Sequence, residues 1–149
     1  MGDAIRMQPA QRWVCFVAAG QNYGLPILKV MEVLRVSAIE AVPGAPHSVV
    51  GVINLRGQVL TVLDLRQRLG LQGHTPLDTH EARIVITDCG EELLGLLVDS
   101  VADVRKLLPS DQQEAPAVHQ IPSTVRVLGV VNDNQGFLTL LDPDSLAPG

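Results

Sequence analysis

The 149 residues carry 46% hydrophobic and 18% charged side chains, a balance that predicts one globular domain with a full core and confines disorder to the ends. A net charge of −5 with 3% aromatic residues argues against a nucleic-acid partner, because phosphates demand a basic surface and unpaired bases demand aromatic platforms. The longest uninterrupted apolar stretch, Leu93 to Val98, is far short of the ~20 residues that cross a bilayer, so no direct membrane insertion is expected.

The opening MGDAIRMQPAQRW has no apolar signal core, and Arg6 stands where an acylated start needs Ser or Thr; a cytoplasmic location is expected. Residues 1–11 are polar, carry Pro9 and read as a loose arm. A strand from Trp13 to Ala19 meets a turn at Gly20-Gln21-Asn22, and a second strand runs from Tyr23 to about Val36, punctuated by Gly24 and Pro26. Within it Ile27, Met31 and Val33 alternate with Leu28, Val30 and Leu34, so a period of two cannot name an inside and both faces are expected to meet protein.

AVPGAP at 41–46 is a loop, since proline removes amide donors and biases its predecessor away from helix. Strands Val49–Leu55 and Gln58–Leu65 follow, and the polar stretch 71–81 divides the chain near its middle. Cys15 and Cys89 lie in strand-like runs and read as small buried hydrophobes. His47, His74, His80 and His119 stand singly in loops without ligand spacing, so neither metal nor cofactor is expected. No glycine-rich phosphate loop, nucleophile elbow or HExxH helix is present, and Asp88, Asp99 and Asp103 read as turn or solvent-face residues. The chain is not expected to be an enzyme.

The second half repeats the first. A shift of 78 lays GVINLRGQVLTVLD (51–64) on GVVNDNQGFLTLLD (129–142) with seven identities in 14 columns, and a shift of 71 lays GLPILKVMEV (24–33) on GLLVDSVADV (95–104). This reads as a duplicated unit with halves at about 13–70 and 82–146 in a single 149-residue domain. The fold expected is all-β: a pseudo-symmetric pair of small barrels, with helical turns only near Arg66–Leu69 and Ser110–Glu114.

One feature belongs to a single half. At NLRG (54–57) Asn54 can bond forward onto the turn and Gly57 can take positive φ, which would hold Leu55-Arg56 out at a rigid tip. The corresponding turn is Asp133-Asn134-Gln135-Gly136, ordinary turn chemistry, so the hairpin itself does not demand an arginine. A guanidinium offers five donors in a fixed fork, and Arg56 is the candidate recognition residue.

GVINLRGQVLTVLDLRQRLG (51–70), YGLPILKVMEV (23–33) and LLGLLVDSVADV (93–104), in this order, resemble the signature stretches of CheW-like domains, the bacterial chemotaxis coupling proteins, over about residues 13–146. The resemblance implies two five-stranded SH3-like barrels and a non-enzymatic adaptor. Such an adaptor bridges the cytoplasmic tip of a methyl-accepting chemoreceptor to the regulatory domain of a CheA-type histidine kinase, in the cytoplasm at membrane-associated receptor arrays. It further implies that Arg56 engages the receptor, that Ile84, Val101 and Val104 line the groove its helices enter, and that the face carrying Val30, Glu32 and Val33 meets the kinase. Gln113 and Val118 fall where family members place a second, weaker kinase contact. The ending DPDSLAPG leaves room for about one turn where members commonly carry a further helix. Alternative readings are a coupling protein of a chemotaxis-like system controlling pili or surface sensing, and a small β-barrel ligand-binding protein or enzyme; plain core packing is the competing role for each valine and isoleucine named.

Overall fold

A computed structural model describes residues 9–113 and 121–148. The strands are β1 (Gln11–Ala18), β2 (Gln21–Pro26), β3 (Val30–Arg35), β4 (Val49–Leu55), β5 (Gln58–Asp64), β6 (Arg83–Asp88), β7 (Leu93–Val98), β8 (Ser100–Leu107), β9 (Val127–Asp133) and β10 (Gly136–Leu141). A one-turn helix, α1 (Leu65–Arg68), follows β5, and short 3-10 turns occupy Ile27–Lys29, Pro109–Asp111 and Pro143–Ser145. The long second strand expected to reach Val36 is broken after Pro26, which has no amide to continue a ladder. Its two pieces belong to different sheets.

The sheets run β8-β1-β2-β10-β9 and β3-β6-β7-β5-β4. The repeat shifts carry β2, β3, β4 and β5 onto β7, β8, β9 and β10, so one order is the other with each strand replaced by its counterpart. Each contains one parallel pair, β2 with β10 and β5 with β7. Both halves of the sequence contribute strands to both sheets, because β3 and β8 cross to the sheet opposite the strand before them.

Each sheet closes into a barrel where the chain beyond its edge strand folds back. Glu40 exchanges backbone bonds with Val52 (2.9 and 2.8 Å), and Gln113 does the same with Val130 (2.7 and 3.0 Å). The repeated glycines lie beside these closures. A Cβ on Gly51 would collide with the backbone carbonyl of Glu40, and one on Gly129 would meet the side-chain Oε1 of Gln112 at 3.1 Å.

Three apolar clusters explain strands that are greasy on both faces. Trp13, Cys15, Leu138 and Leu140 fill the first barrel, and Ile53, Leu60, Val62, Ile84 and Ile86 fill the second. The alternate residues, among them Phe16, Tyr23, Leu25, Val85, Leu94 and Leu96, form a shared seam between the barrels. Both cysteines are free and buried; burial pushes the Cys89 thiol up to about 12, which leaves it unreactive at neutral pH.

The repeated aspartates end the repeated strands. Asp64 accepts from the Arg66 amide (3.1 Å), and Asp142 accepts from the Asp144 amide (3.0 Å), each capping the turn that follows. Arg68 Nε donates to the carbonyl of Leu146 at 2.9 Å, and Leu146 is Arg68's own counterpart at the shift of 78. The two post-strand turns thus meet each other across the pseudo-twofold axis.

The two closures differ in what a methyl group would strike. Gly51→Ala is expected to cost about 2–4 kcal/mol of unfolding free energy because the obstacle is backbone, and Gly129→Ala less than about 1 kcal/mol because the Gln112 side chain can swing aside. Urea denaturation of the two variants checks the order; equal losses would show that the closures are mechanically alike.

Candidate functional site

The β4–β5 hairpin turns on two residues, with Leu55 and Gln58 paired on either side. Arg56 has φ +51° and Gly57 φ +85°, the mirror-image turn that matches strand twist and normally takes Asn, Asp or Gly at both positions. Asn54 Oδ1 accepts the Gly57 amide at 2.9 Å and fixes the turn. The tip is therefore Arg56-Gly57, and Leu55, half-buried against the second barrel's core, belongs to the strand.

The other hairpin avoids this geometry. Among the described residues only Ala19 and Arg56 are non-glycines at positive φ, so Asn134 and Gln135 turn without it and Gly136 takes φ +98°. A left-handed L-residue costs roughly 1–2 kcal/mol of backbone strain. The first hairpin places an arginine where its counterpart has no strained residue, and strain kept at one position is a pointer to function.

Arg56 is held by Glu32 on β3. Its Nη1 donates to Oε1 at 3.3 Å and its Nη2 to Oε2, with the arginine side chain 70% exposed and the glutamate 32%. The hydrogen bond from Arg56, helped by its charge, holds the Glu32 carboxyl below its ordinary value, and Glu32 raises Arg56 in turn. The repeat keeps the carboxylate, as Asp103, but sets Asn134 in place of the arginine.

The valines are organised by irregular register. In a regular strand residues three apart point to opposite faces. Here β3 slips against β6, so that Val30 faces Thr87 and Val33 faces Val85, and β8 slips against β1, so that Val101 faces Phe16 and Val104 faces Val14. Each slip puts both valines of a V-x-x-V on one face. Val30 and Val101 pack against the seam, while Val33 (41%) and Val104 (53%) stand exposed.

Several expectations change. Glu32 lies opposite Ile86, on the other face of β3 from Val30 and Val33, so the three do not form one surface; Glu32 belongs with Arg56. Ile84 is fully buried inside the second barrel and has no surface to offer a partner. Gln113 closes the first barrel through its backbone, with its side chain exposed, and Val118 lies outside the described residues. Asp99, read as a turn or solvent-face residue, instead accepts bonds from Arg66 and from the Ala19 amide. Met31, in the same run as Val33, is 51% exposed, which an apolar alternation cannot show because it does not say which face stays wet. Among the described residues no group of three or more His, Cys, Asp or Glu could hold a metal, and no helix is long and apolar enough to cross a membrane.

A double barrel with crossed strands, whose distinguishing groups are a strained surface arginine and paired edge valines, is the build of a scaffold that presents faces to other proteins. The chain belongs to the CheW-like domain family, whose sequence profile matches residues 12–148; the CheW proteins of this family are adaptors, not enzymes. It is 29% identical to the chemotaxis protein CheW of Bacillus subtilis over 140 residues, covering 94% of this chain and 88% of that one. It is 30% identical to protein FrzA of Myxococcus xanthus over 141 residues, covering 93% and 86%. The crystal structure of the scaffolding protein TtCheW from Thermoanaerobacter tengcongensis superposes with a TM-score of 0.80 at 29% identity, covering 90% of this chain and 89% of that one.

Two outcomes test the site. Arg56→Gly removes the side chain and the strain together, so its urea midpoint is expected at or above that of the parent; a clear drop would make the arginine a structural element. A carboxyl whose folded value is lowered contributes stability fully present above its unfolded value and lost as pH falls through the folded one. The Arg56 guanidinium NMR signals are therefore expected to stay constant around neutral pH and to move only below the ordinary glutamate range. Movement near neutrality would mean that Glu32 is not the partner in solution.

Proposed function

We propose that this protein couples the cytoplasmic tip of a methyl-accepting chemoreceptor to the regulatory domain of a CheA-type histidine kinase, in the cytoplasm at receptor arrays and without chemistry of its own. The observation that carries this reading is the left-handed Arg56, a strained arginine kept at the tip of one hairpin and absent from its duplicate. Family membership and the similarity to proteins named for chemotaxis support it.

Arg56 and the Val101/Val104 face are assigned to the receptor. The Val30/Val33 face, with Met31 beside it, is assigned to the kinase. Glu32 holds Arg56 in place, and so joins the two contacts without lying in either face. A helical receptor tip suits such a surface, because its apolar positions can seat on the exposed Val104 and the half-buried Val101 while a carboxylate meets the fork of Arg56.

Arg56→Asp is expected to abolish receptor coupling and leave the fold intact, since reversing an exposed charge leaves no buried group unpaired. Reconstitution of receptor–kinase arrays checks this, and wild-type incorporation would reduce Arg56 to a turn residue. Val33→Lys is expected to weaken binding of the isolated kinase regulatory domain at least tenfold, roughly 1.4 kcal/mol, by forcing an ammonium into an apolar contact. Calorimetry reads it directly; unchanged affinity in a folded variant would move the kinase contact elsewhere.

A further inference from the structure

Asp99 is the single residue between β7 of the second barrel and β8 of the first. Its carboxylate is gripped from both sides. Arg66 on α1, next to the second barrel's β5, donates Nε at 3.1 and 3.2 Å and Nη2 at 2.7 Å. From the first barrel the Ala19 amide donates at 2.9 Å, and the Asp99 amide reaches the Val17 carbonyl at 3.0 Å. Both charged side chains are about one-fifth exposed, at 21% and 19%. Ala19 is, among the described residues, the other non-glycine at positive φ (+51°), so this carboxylate also holds a strained turn in place.

An apolar seam resists separation but has little directional preference, whereas a forked guanidinium on a carboxylate fixes orientation. The chain path connects this pin to the surface residues. Arg66 follows β5, the second strand of the Arg56 hairpin, and Asp99 immediately precedes Ser100-Val101, where β8 begins. Arg56 and the Val101/Val104 face lie on different barrels, and Arg66–Asp99 joins the roots of the two elements that carry them.

We infer that Arg66 and Asp99 are positioning residues that set the angle between the barrels, and hence the spacing between Arg56 and the Val101/Val104 face that one partner must span. This rests on the receptor assignment proposed above. It separates the partners: a contact that spans both barrels depends on the pin, and the Val30/Val33 contact, built on β3 alone, does not.

The test uses the full chain with spin labels at Val59→Cys and Phe137→Cys, counterpart positions 65% and 61% exposed on different barrels, the native cysteines being buried. Asp99→Asn and Arg66→Lys, which keeps the charge and loses the fork, are measured side by side, so that a folding loss in one does not decide the matter. In a folded variant the inter-label distance distribution is expected to broaden. Affinity for an isolated receptor-tip helical hairpin is expected to fall at least fivefold, while affinity for the kinase regulatory domain stays within twofold. A distribution unchanged in both variants overturns the inference, as does an equal loss of both affinities, which would mark a merely structural pair. If Arg56→Asp in the unaltered background also leaves receptor-tip binding untouched, the receptor assignment has failed and not the pin.

Discussion

Neither half of the sequence repeat contains a complete barrel, because β3 and β8 each leave the sheet of the strand before them, and much else follows from that exchange. The second barrel is built from the continuous stretch Val30–Val98, nested between β1–β2 and β8–β10, which together make the first. The chain must cross the boundary twice, so the barrels cannot drift apart, and the strands alongside the crossings bury both faces. Each fully buried leucine of the seam contributes ~2 kcal/mol. Apolar burial therefore outweighs the polar bonds in holding the barrels together, and leaves the polar bonds to decide how they are oriented.

The turns that follow β5 and β10 meet each other, and there the two halves differ. The turn after β5 supplies Arg66 and Arg68; the turn after β10 supplies Asp144 and Leu146 at the same places, and Arg68 donates to the carbonyl of Leu146. At a twofold axis an element meets its own copy, so two identical turns would place like charges together. Divergence of the halves turns that conflict into a donor–acceptor pair. The hairpins differ in the same way: Glu32 and Asp103 are counterparts, and of the two hairpin tips only the first carries an arginine.

Both left-handed non-glycines among the described residues are tied to a carboxylate from a distant part of the chain, Ala19 to Asp99 and Arg56 to Glu32. Strained turns persist where surrounding structure over-determines them. In the first case the restraint is shielded and structural. In the second it is exposed, at a tip where a partner's carboxylate could compete for the same fork.

The residues alone determined the all-β class, the duplicated plan, the burial of both cysteines and the singular Arg56, because each rests on local pattern: alternation, internal identity, or a turn compared with its copy. Tertiary structure decided the rest. The exchange of β3 and β8 between sheets is a matter of long-range pairing that no window of sequence contains. The slips that bring Val30 to the face of Val33, and Val101 to that of Val104, depend on the register of a neighbouring strand, so the run Val30–Val33 by itself does not show that Glu32 faces away from both valines. Ile84 and Val104 are both β-branched strand residues, the first in an apolar run and the second between Asp103 and Arg105, and the position of their strands in the sheets puts one at the centre of a barrel and the other on its surface. Asp99 resembles any turn aspartate until folding brings Arg66 and the Ala19 amide to it, since a carboxylate's role is set by the donors that surround it and those come from other parts of the chain.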